Sequence, residues 1–280
     1  MLMAILPAVR RLMWKPRYRF GRQTVDMRVA RSAVFLALLA TPLFAAEVCN
    51  PTDLQGPYAF LLSGDTTITG DAKPLVSLGR MVLDAEGGMT GYSSVMFAGF
   101  LLGNPVTGTY ETRSNCTASW SLQDDSGAFQ HFSGVVSPGG NRVRFEQTDI
   151  GGAQNGVLAR IADACQVSGL RKQYSVTLSG SYTPMAAGDV PATVDGEALL
   201  QASGNGNFTL TGRGHWHGTS HVAIEVDSDC TVHLELSLPS EDGSTGTSIN
   251  LRGILVDGAK EILAMGIDPG WMVSAKFTAH

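Results

Sequence analysis

The sequence predicts an all-β protein made of two tandem copies of one small antiparallel domain, each a barrel or a sandwich. Three observations lead to this fold class: short runs rich in β-branched and aromatic residues, turn motifs between them, and a repeat that spans most of the chain. Counting the runs between turns gives about seven or eight strands per copy. With 44% apolar and 16% charged residues, the 280-residue chain can build two modest cores.

Strand patterns occur in both halves of the chain. Residues 142–146 and 231–238 alternate between polar and apolar side chains, which is the period of a half-buried strand. Glycine-rich turn motifs at residues 138–141, 203–206 and 256–258 recur at spacings suited to hairpins. After residue 46 no stretch has a long helical period with caps, so we expect no long helix there.

A repeat relates the two copies, each about 115 residues long. After Cys49 and after Cys165 the same residues follow at the same distances, without a gap: Leu54, Tyr58, Leu62, Ser63 and Gly64 in the first copy, and Leu170, Tyr174, Leu178, Ser179 and Gly180 in the second. Weaker matches follow: Gly108-Thr109 with Gly218-Thr219, Cys116-Thr117 with Cys230-Thr231, residues 134–136 with 253–255, Asp149 with Asp268, and residues 157–161 with 273–277.

These matches define the domain organisation. Residues 1–46 are assigned to an N-terminal extension plus a signal peptide, 47–161 to the first repeat and 165–280 to the second. The link of residues 162–164 is so short that the two domains should pack against each other or move as a stiff pair.

Residues 27–46 have the features of a secretory signal peptide. A basic start, a short apolar run and small residues up to Ala45 or Ala46 predict a helical signal peptide with cleavage after one of these alanines. The apolar run is too short for a transmembrane anchor. We therefore expect a periplasmic or extracellular protein. Residues 1–26 fit no signal pattern and are either an upstream extension or the result of a misassigned start, with Met27 the real one.

Charge argues against two classes of partner. Residues after 46 contain 12 basic and 24 acidic side chains, a net charge of −12. Such a body would be repelled by phosphate backbones and by anionic lipid, so we expect no binding to nucleic acid or to a membrane surface.

All four cysteines follow the predicted cleavage site, where an oxidising compartment permits disulfides. Four cysteines allow three pairings, and their spacing alone does not choose among them. Because a duplicated domain should close each copy on itself, the repeat favours Cys49 with Cys116 and Cys165 with Cys230.

Several motifs together resemble bacterial secreted proteins that carry an allene oxide cyclase barrel-like domain. They are an early cysteine, Gly56-Pro57-Tyr58-Ala59-Phe60, Leu62-Ser63-Gly64, Gly108-Thr109-Tyr110 and Asn115-Cys116-Thr117. The resemblance implies an eight-stranded, calycin-like barrel for each copy, although the second departs from it at residues 172–174 and 218–220. No catalytic residue of the plant cyclases can be placed on this sequence, and none is carried over.

His215, His217 and His221 are the only candidate metal ligands of note. On an unbroken strand all three would point to one face, and imidazole is a common zinc ligand. Glycines at 212, 214 and 218 interrupt the segment, which favours a solvated hairpin tip. We expect no metal site and no cofactor.

The remaining candidate residues have structural explanations. No Gly-x-Ser-x-Gly motif occurs at a strand-to-helix turn, and His131, His233 and His280 are far apart in sequence. Paired carboxylates occur in turn-like contexts, at Asp124-Asp125 and Glu241-Asp242. Tyr58 and Tyr174 are either pocket-lining phenols or packing aromatics, and packing is favoured because aromatics normally pack where repeats agree. No catalytic residue is assigned.

Two functions remain open. We favour an exported, non-catalytic binding or interaction protein that takes a small apolar ligand or another exported protein. The alternative is an enzyme, a lipid isomerase or cyclase of the allene oxide cyclase type. Two filled barrels would exclude the cyclase, whereas a lined cavity of about 300 Å³ or more would keep it open.

Overall fold

The computed structural model describes residues 49, 51–67, 71–123, 127, 129–161, 165–183, 190–211, 218–238 and 247–280. The predicted signal peptide, the link 162–164, and the carboxylate pairs at 124–125 and 241–242 lie outside these residues. Residues 47–280 form one compact unit that contains both repeats.

Each repeat is a closed antiparallel barrel of eight strands, as the resemblance implies. Every strand pairs with its neighbours in sequence, and the last strand of each barrel pairs with the first. Barrel 1 consists of β1 (Gly56–Thr66), β2 (Lys73–Leu83), β3 (Gly88–Phe97), β4 (Phe100–Thr112), β5 (Thr117–Gln123), β6 (Phe129–Val136), β7 (Arg142–Gln147) and β8 (Ala153–Arg160). Barrel 2 consists of β9 (Gln173–Tyr182), β10 (Val190–Leu200), β11 (Asn205–Leu210), β12 (Gly218–Val226), β13 (Thr231–Leu238), β14 (Thr247–Val256), β15 (Glu261–Gly266) and β16 (Trp271–Ala279).

Strand register corrects the sequence match in the last strand of each barrel. Tyr58 of β1 lies opposite Arg160, whereas its counterpart Tyr174 lies opposite Ala279. Residues 157–161 therefore correspond to 276–280, and the match with 273–277 is wrong by three positions. The two segments share a valine, an alanine and a basic residue at the same spacing, which makes the shifted match look convincing, although a shift of three residues exchanges the inward and outward positions.

A second match, in β4 and β12, is also wrong. Gly108 pairs with Leu122, and the residue that pairs with the corresponding Leu236 is Val222. The counterpart of Gly108 is therefore Val222 and not Gly218. Turn and strand glycines recur for local reasons, which makes a Gly-Thr pair a weak marker of equivalence.

One end of each barrel is closed by a short 3-10 segment and a disulfide. Residues Pro51–Leu54 cover this end of barrel 1, where Leu54 is buried. The disulfides join Cys49 to Cys116 and Cys165 to Cys230, the two pairs that the repeat predicts. We call this the closed end. Further 3-10 segments are Pro138–Gly140, Val167–Gly169 and Asp257–Ala259.

The lower half of barrel 1, next to its closed end, is packed with aromatic rings. Trp120 meets Phe145 edge-on at a centroid distance of 4.9 Å, and Phe132 meets Phe145 at 5.4 Å. Such pairs add to the stabilisation that comes from burying their area.

The two barrels pack against each other through their outer walls. Ala59, Val76, Leu78, Met96 and Ala159 of barrel 1 belong to one cluster of buried residues with the core and outer wall of barrel 2. The Arg142 side chain also forms a two-pronged ion pair with Glu261 across this interface. The barrels are therefore in close contact, as the short link predicts.

Candidate functional site

Barrel 1 contains a cavity of about 240 Å³. It lies at the end opposite the disulfide, where β1, β3 and β5 finish and β2, β4, β6 and β8 begin, and we call this the open end. Its lining residues are Phe60, Leu62, Thr66, Leu75, Ser77, Ser93, Val95, Phe97, Leu102, Asn104, Val106, Leu122, Gln123, Gln130 and Gln154. Apolar walls with a few convergent polar groups are typical of ligand sites.

Gln154 is the most unusual residue of the lining. Its side chain is 2% exposed, and neither its amide nitrogen nor its amide oxygen has a hydrogen-bond partner among the described residues. A buried polar group without a partner costs about 1–3 kcal/mol. Native proteins rarely keep such a group without a use for it.

Two buried serines accompany Gln154 in the lining. Ser77 lies on β2 opposite Leu62, and Ser93 lies on β3 opposite Gly79, so both side chains face the interior by the alternation of their strands. The Ser93 hydroxyl makes one long hydrogen bond, at 3.4 Å, to the carbonyl oxygen of Asn104. These hydroxyls add donors and acceptors to an otherwise apolar wall.

Barrel 2 provides an internal comparison, because the same fold has aliphatic side chains at the same positions. By strand register, the counterparts of Gln154, Ser77, Ser93 and Gln130 are Val273, Val194, Leu210 and Ile249. All four are buried. The fold therefore does not require polar residues inside, and their presence in barrel 1 calls for another explanation.

The open ends of the two barrels also differ. In barrel 2 the rings of Tyr182 and Trp271, which are paired residues on the adjacent strands β9 and β16, stack at this end with a centroid distance of 4.2 Å. The corresponding residues of barrel 1 are Thr66 and Gly152, which carry no aromatic ring. Among the described residues, barrel 2 therefore has two aromatic rings at its open end where barrel 1 has none at the same positions.

Large apolar side chains surround the mouth of the cavity. Phe100, Leu101 and Leu102 begin β4, Phe129 begins β6, and Ile150 lies between β7 and β8. All five are exposed, and Leu102 also lines the cavity. These side chains form an apolar patch on the described part of the open end, which favours access by an apolar molecule.

None of the described residues that line the cavity is ionisable. Amide, hydroxyl and hydrocarbon groups make up that part of the wall. These groups can hold and orient a ligand, but among them there is no acid or base with a pKa suited to proton transfer near neutral pH.

Tyr58 and Tyr174 lie at the closed ends and do not line the cavity. The Tyr58 hydroxyl donates to the carbonyl oxygen of Gly140 at 2.6 Å. Burial raises the pKa of Tyr58 to about 12, although the neighbouring Arg160 opposes the shift. The structure therefore agrees with the packing interpretation of these tyrosines.

The histidines do not converge in the part of the chain that the structure describes. His221 is exposed on β12, and His215 and His217 lie outside the described residues, so the absence of a metal site stays a prediction. No group of three potential metal ligands occurs among the described residues. His131, His233 and His280 each pair with a different carboxylate, from Asp149, Asp227 and Glu197.

The pairing of His131 with Asp149 has a structural role. The Asp149 carboxylate accepts from the backbone N–H of His131 and lies 2.7 Å from its ring Nδ1. In barrel 2, Asp268 accepts from the backbone N–H and the side chain of Asn250 in the same way. A histidine is not needed for this contact, so the pair does not indicate catalysis.

Gln154, Ser77 and Ser93 belong to none of the motifs that the sequence predicts to be functional. A signal exists, because each is a polar residue at an inward strand position where the second copy has an aliphatic one. The three-residue error in matching the last strands concealed it for Gln154, since that match placed Gln154 beside Gly270 and not beside Val273.

Comparison with models of known protein families gives no match. Comparison with curated proteins also gives none. Among solved structures, a mutant of the vaccine antigen Transferrin Binding Protein B from Haemophilus parasuis Hp5 aligns over 82% of this chain and 76% of its own. The identity is 10% and the TM-score 0.31, and a likeness this loose supports no argument about ligand or partner.

In the described part of the chain, no helix has the length and apolar character that a membrane span requires.

Proposed function

We propose that this protein is an exported, non-catalytic binding protein in which barrel 1 holds a small, mainly apolar ligand. The observation that carries the proposal is the buried Gln154 amide, which faces the cavity without a partner among the described residues. A ligand that bonds to this amide would offset the cost of burying it. The aliphatic side chains at the same positions of barrel 2 support the proposal, because the fold forms there without such a group.

Size and shape restrict the ligand. The cavity of about 240 Å³ is smaller than the range of about 300–1,000 Å³ typical of sites for drug-sized molecules. The ligand is therefore smaller than a typical drug molecule, such as a single alkyl chain of medium length, and it enters past Leu102 at the mouth.

Export is part of this proposal. Residues 27–46 resemble a signal peptide, and the two disulfides are typical of proteins outside the cytosol. The resemblance to secreted proteins with an allene oxide cyclase barrel-like domain fits the same location and the eight-stranded barrels. No specific observation favours the cyclase activity, since the described lining offers no ionisable group and the cavity is below about 300 Å³.

The test compares ligand binding by the full exported protein with that of a variant whose barrel 1 is filled. Ser93→Leu copies Leu210, the counterpart in barrel 2, and places an aliphatic side chain in the cavity. The small uncharged dye N-phenylnaphthylamine serves as the probe, and native mass spectrometry detects any co-purified molecule. We expect saturable dye binding by the wild type and at least about tenfold weaker binding by Ser93→Leu.

Ser119→Val is the matched control, because Ser119 lies on the outer face of β5 beside the inward Trp120. It should leave dye binding unchanged. Absence of saturable binding by the wild type, or equal binding by Ser93→Leu, would contradict the proposed function.

A further inference from the structure

We infer that the cavity of barrel 1 selects an uncharged ligand with a head group that both donates and accepts hydrogen bonds, an alcohol or a carboxamide. It rejects a carboxylate or an ammonium group on the same chain. This inference rests on the proposed function and names its ligand class.

The Gln154 side chain determines the type of head group. Its Nε2 is a donor and its Oε1 an acceptor, and both are buried without a partner among the described residues. A ligand that only accepts or only donates would leave one of the two unsatisfied, at a cost comparable to a lost hydrogen bond. A hydroxyl or a primary amide can satisfy both.

The lining also determines the charge of the ligand. An ionised head group that leaves water needs an opposite charge or several strong hydrogen bonds to compensate. The described lining holds no lysine, arginine, histidine, aspartate or glutamate. A carboxylate beside Gln154 could accept from the amide N–H groups and from a serine hydroxyl, but it would meet the repulsion of the amide oxygen and find no positive charge in the described lining.

Two arginine side chains of barrel 1, those of Arg160 and Arg142, have partners away from the cavity. Arg160 donates to Gln55 O and to the Tyr58 hydroxyl at the closed end, and Arg142 pairs with Glu261 at the interface between the barrels. Neither lines the cavity. They therefore offer no ready counter-ion for an acidic ligand.

The rest of the lining fits the hydrocarbon part of such a ligand. Phe60, Leu62 and Val106 form the inner wall, and Phe97 and Leu102 lie at the end of the barrel where the mouth opens. Ser77 and Ser93 are the polar groups that accompany Gln154. One polar cluster in an apolar wall suits a molecule with a single polar head.

The experiment measures displacement of N-phenylnaphthylamine from the full mature protein by four ligands of equal chain length: decanol, decanamide, decanoate and decylammonium. At neutral pH the last two are ionised. We expect decanol and decanamide to bind at least about tenfold more tightly than either ion. Equal or tighter binding of decanoate would overturn the inference.

Gln154→Met tests the role of the amide while keeping the volume of the side chain. The affinity for decanol should fall about tenfold, and the affinity for the dye, which needs no such pair of hydrogen bonds, should stay within about twofold. Gln154→Val, which copies Val273, is the second variant and should fold because barrel 2 already carries valine there. Unchanged decanol affinity in either folded variant would overturn the inference.

The outcomes also separate this inference from the proposed function. If the wild type binds neither the dye nor any of the four ligands, the proposed function fails. If it binds the dye but shows no preference for the uncharged heads, only the ligand class is wrong.

Discussion

The hydroxyl of Tyr58 donates a hydrogen bond to the carbonyl oxygen of Gly140 at 2.6 Å, which ties the first strand of barrel 1 to the connection before β7. Barrel 2 repeats the contact, since the Tyr174 hydroxyl lies 2.8 Å from the carbonyl oxygen of Ala259. Gly140 and Ala259 both have a φ of 67°. Each tyrosine therefore holds a left-handed turn at the closed end of its barrel, although the two interiors differ in their side chains.

Removing either hydroxyl should destabilise the protein without affecting ligand binding. Tyr58→Phe and Tyr174→Phe each leave a carbonyl oxygen without its tyrosine donor, and we expect each to lower the free energy of unfolding by about 1–2 kcal/mol. Urea denaturation measures the change, and dye binding checks the cavity. Tyr92→Phe is the control because Tyr92 is exposed. A loss of stability as small as that of the control would contradict the role of the hydrogen bond.

The repeated glycines Gly64 and Gly180 should not tolerate a side chain. Their φ angles are 141° and 146°, and an added Cβ would lie 2.2 Å from Ala153 O and 2.1 Å from Met272 O. We expect Gly64→Ala and Gly180→Ala each to cost about 2 kcal/mol or more. Gly103→Ala is the control, since a Cβ there meets nothing within 4 Å. Thermal unfolding should rank both variants clearly below it, and equal melting temperatures would refute the steric explanation.

The turn between β3 and β4 is strained in a way that one substitution can relieve. Ala98 and Gly99 have φ angles of 49° and 81°, and two-residue hairpin turns with positive φ at both positions favour Asn-Gly. Alanine is a poor residue for the first position, and Ala98 is exposed. Ala98→Asn should therefore stabilise the protein by about 0.5–1 kcal/mol, and Ala98→Val should destabilise it. A melting temperature of Ala98→Asn below that of the wild type would show the expectation to be wrong.

Much of the fold could be predicted from the sequence because the duplicated residues are those that the backbone itself requires. The first strands of the two barrels share a leucine, a tyrosine and a glycine. The leucine side chain is buried, the tyrosine hydroxyl donates a hydrogen bond, and the glycine lies where two strands come too close for a side chain. The cysteine pairing followed from the same duplication. The barrel backbone requires these residues whatever the barrel binds, so both copies have them.

The cavity could not be predicted in the same way, because the site lies where the copies differ. A polar residue on an alternating strand is expected to face outward unless the strand register is known, and the sequence match between β8 and β16 is off by three residues. Of the three clustered histidines at 215, 217 and 221, only His221 lies within the described residues. Its side chain is exposed. Polar residues at inward strand positions therefore indicate the site better than clusters of histidines do.

The Arg142–Glu261 pair gives the interface between the barrels a dependence on pH. The Glu261 side chain is 6% exposed and also contacts Lys276 Nζ at 2.9 Å. Burial alone would raise its pKa, but hydrogen bonds from Arg142 and Lys276 outweigh burial and hold the pKa below the ordinary glutamate value. A carboxylate with a lowered pKa in the folded state stabilises the protein above its unfolded pKa, and that stabilisation is lost as the pH falls through the folded value.

Glu261→Gln should therefore destabilise the protein by about 2 kcal/mol at neutral pH, because the substitution leaves Arg142 and Lys276 without their counter-charge while both keep partial access to water. The difference in unfolding free energy between the wild type and the variant should shrink below the ordinary glutamate pKa of about 4.3, where the wild type begins to lose the same charge. Urea denaturation of both proteins over that pH range measures this difference. The contributions of the other carboxylates cancel in it, because both proteins carry them.

Asp65→Asn, at an exposed residue of β1, is the control and should show a small difference in unfolding free energy at every pH. A difference for Glu261→Gln that stays constant from neutral to acid pH would mean that the pair is not ionised in the folded protein.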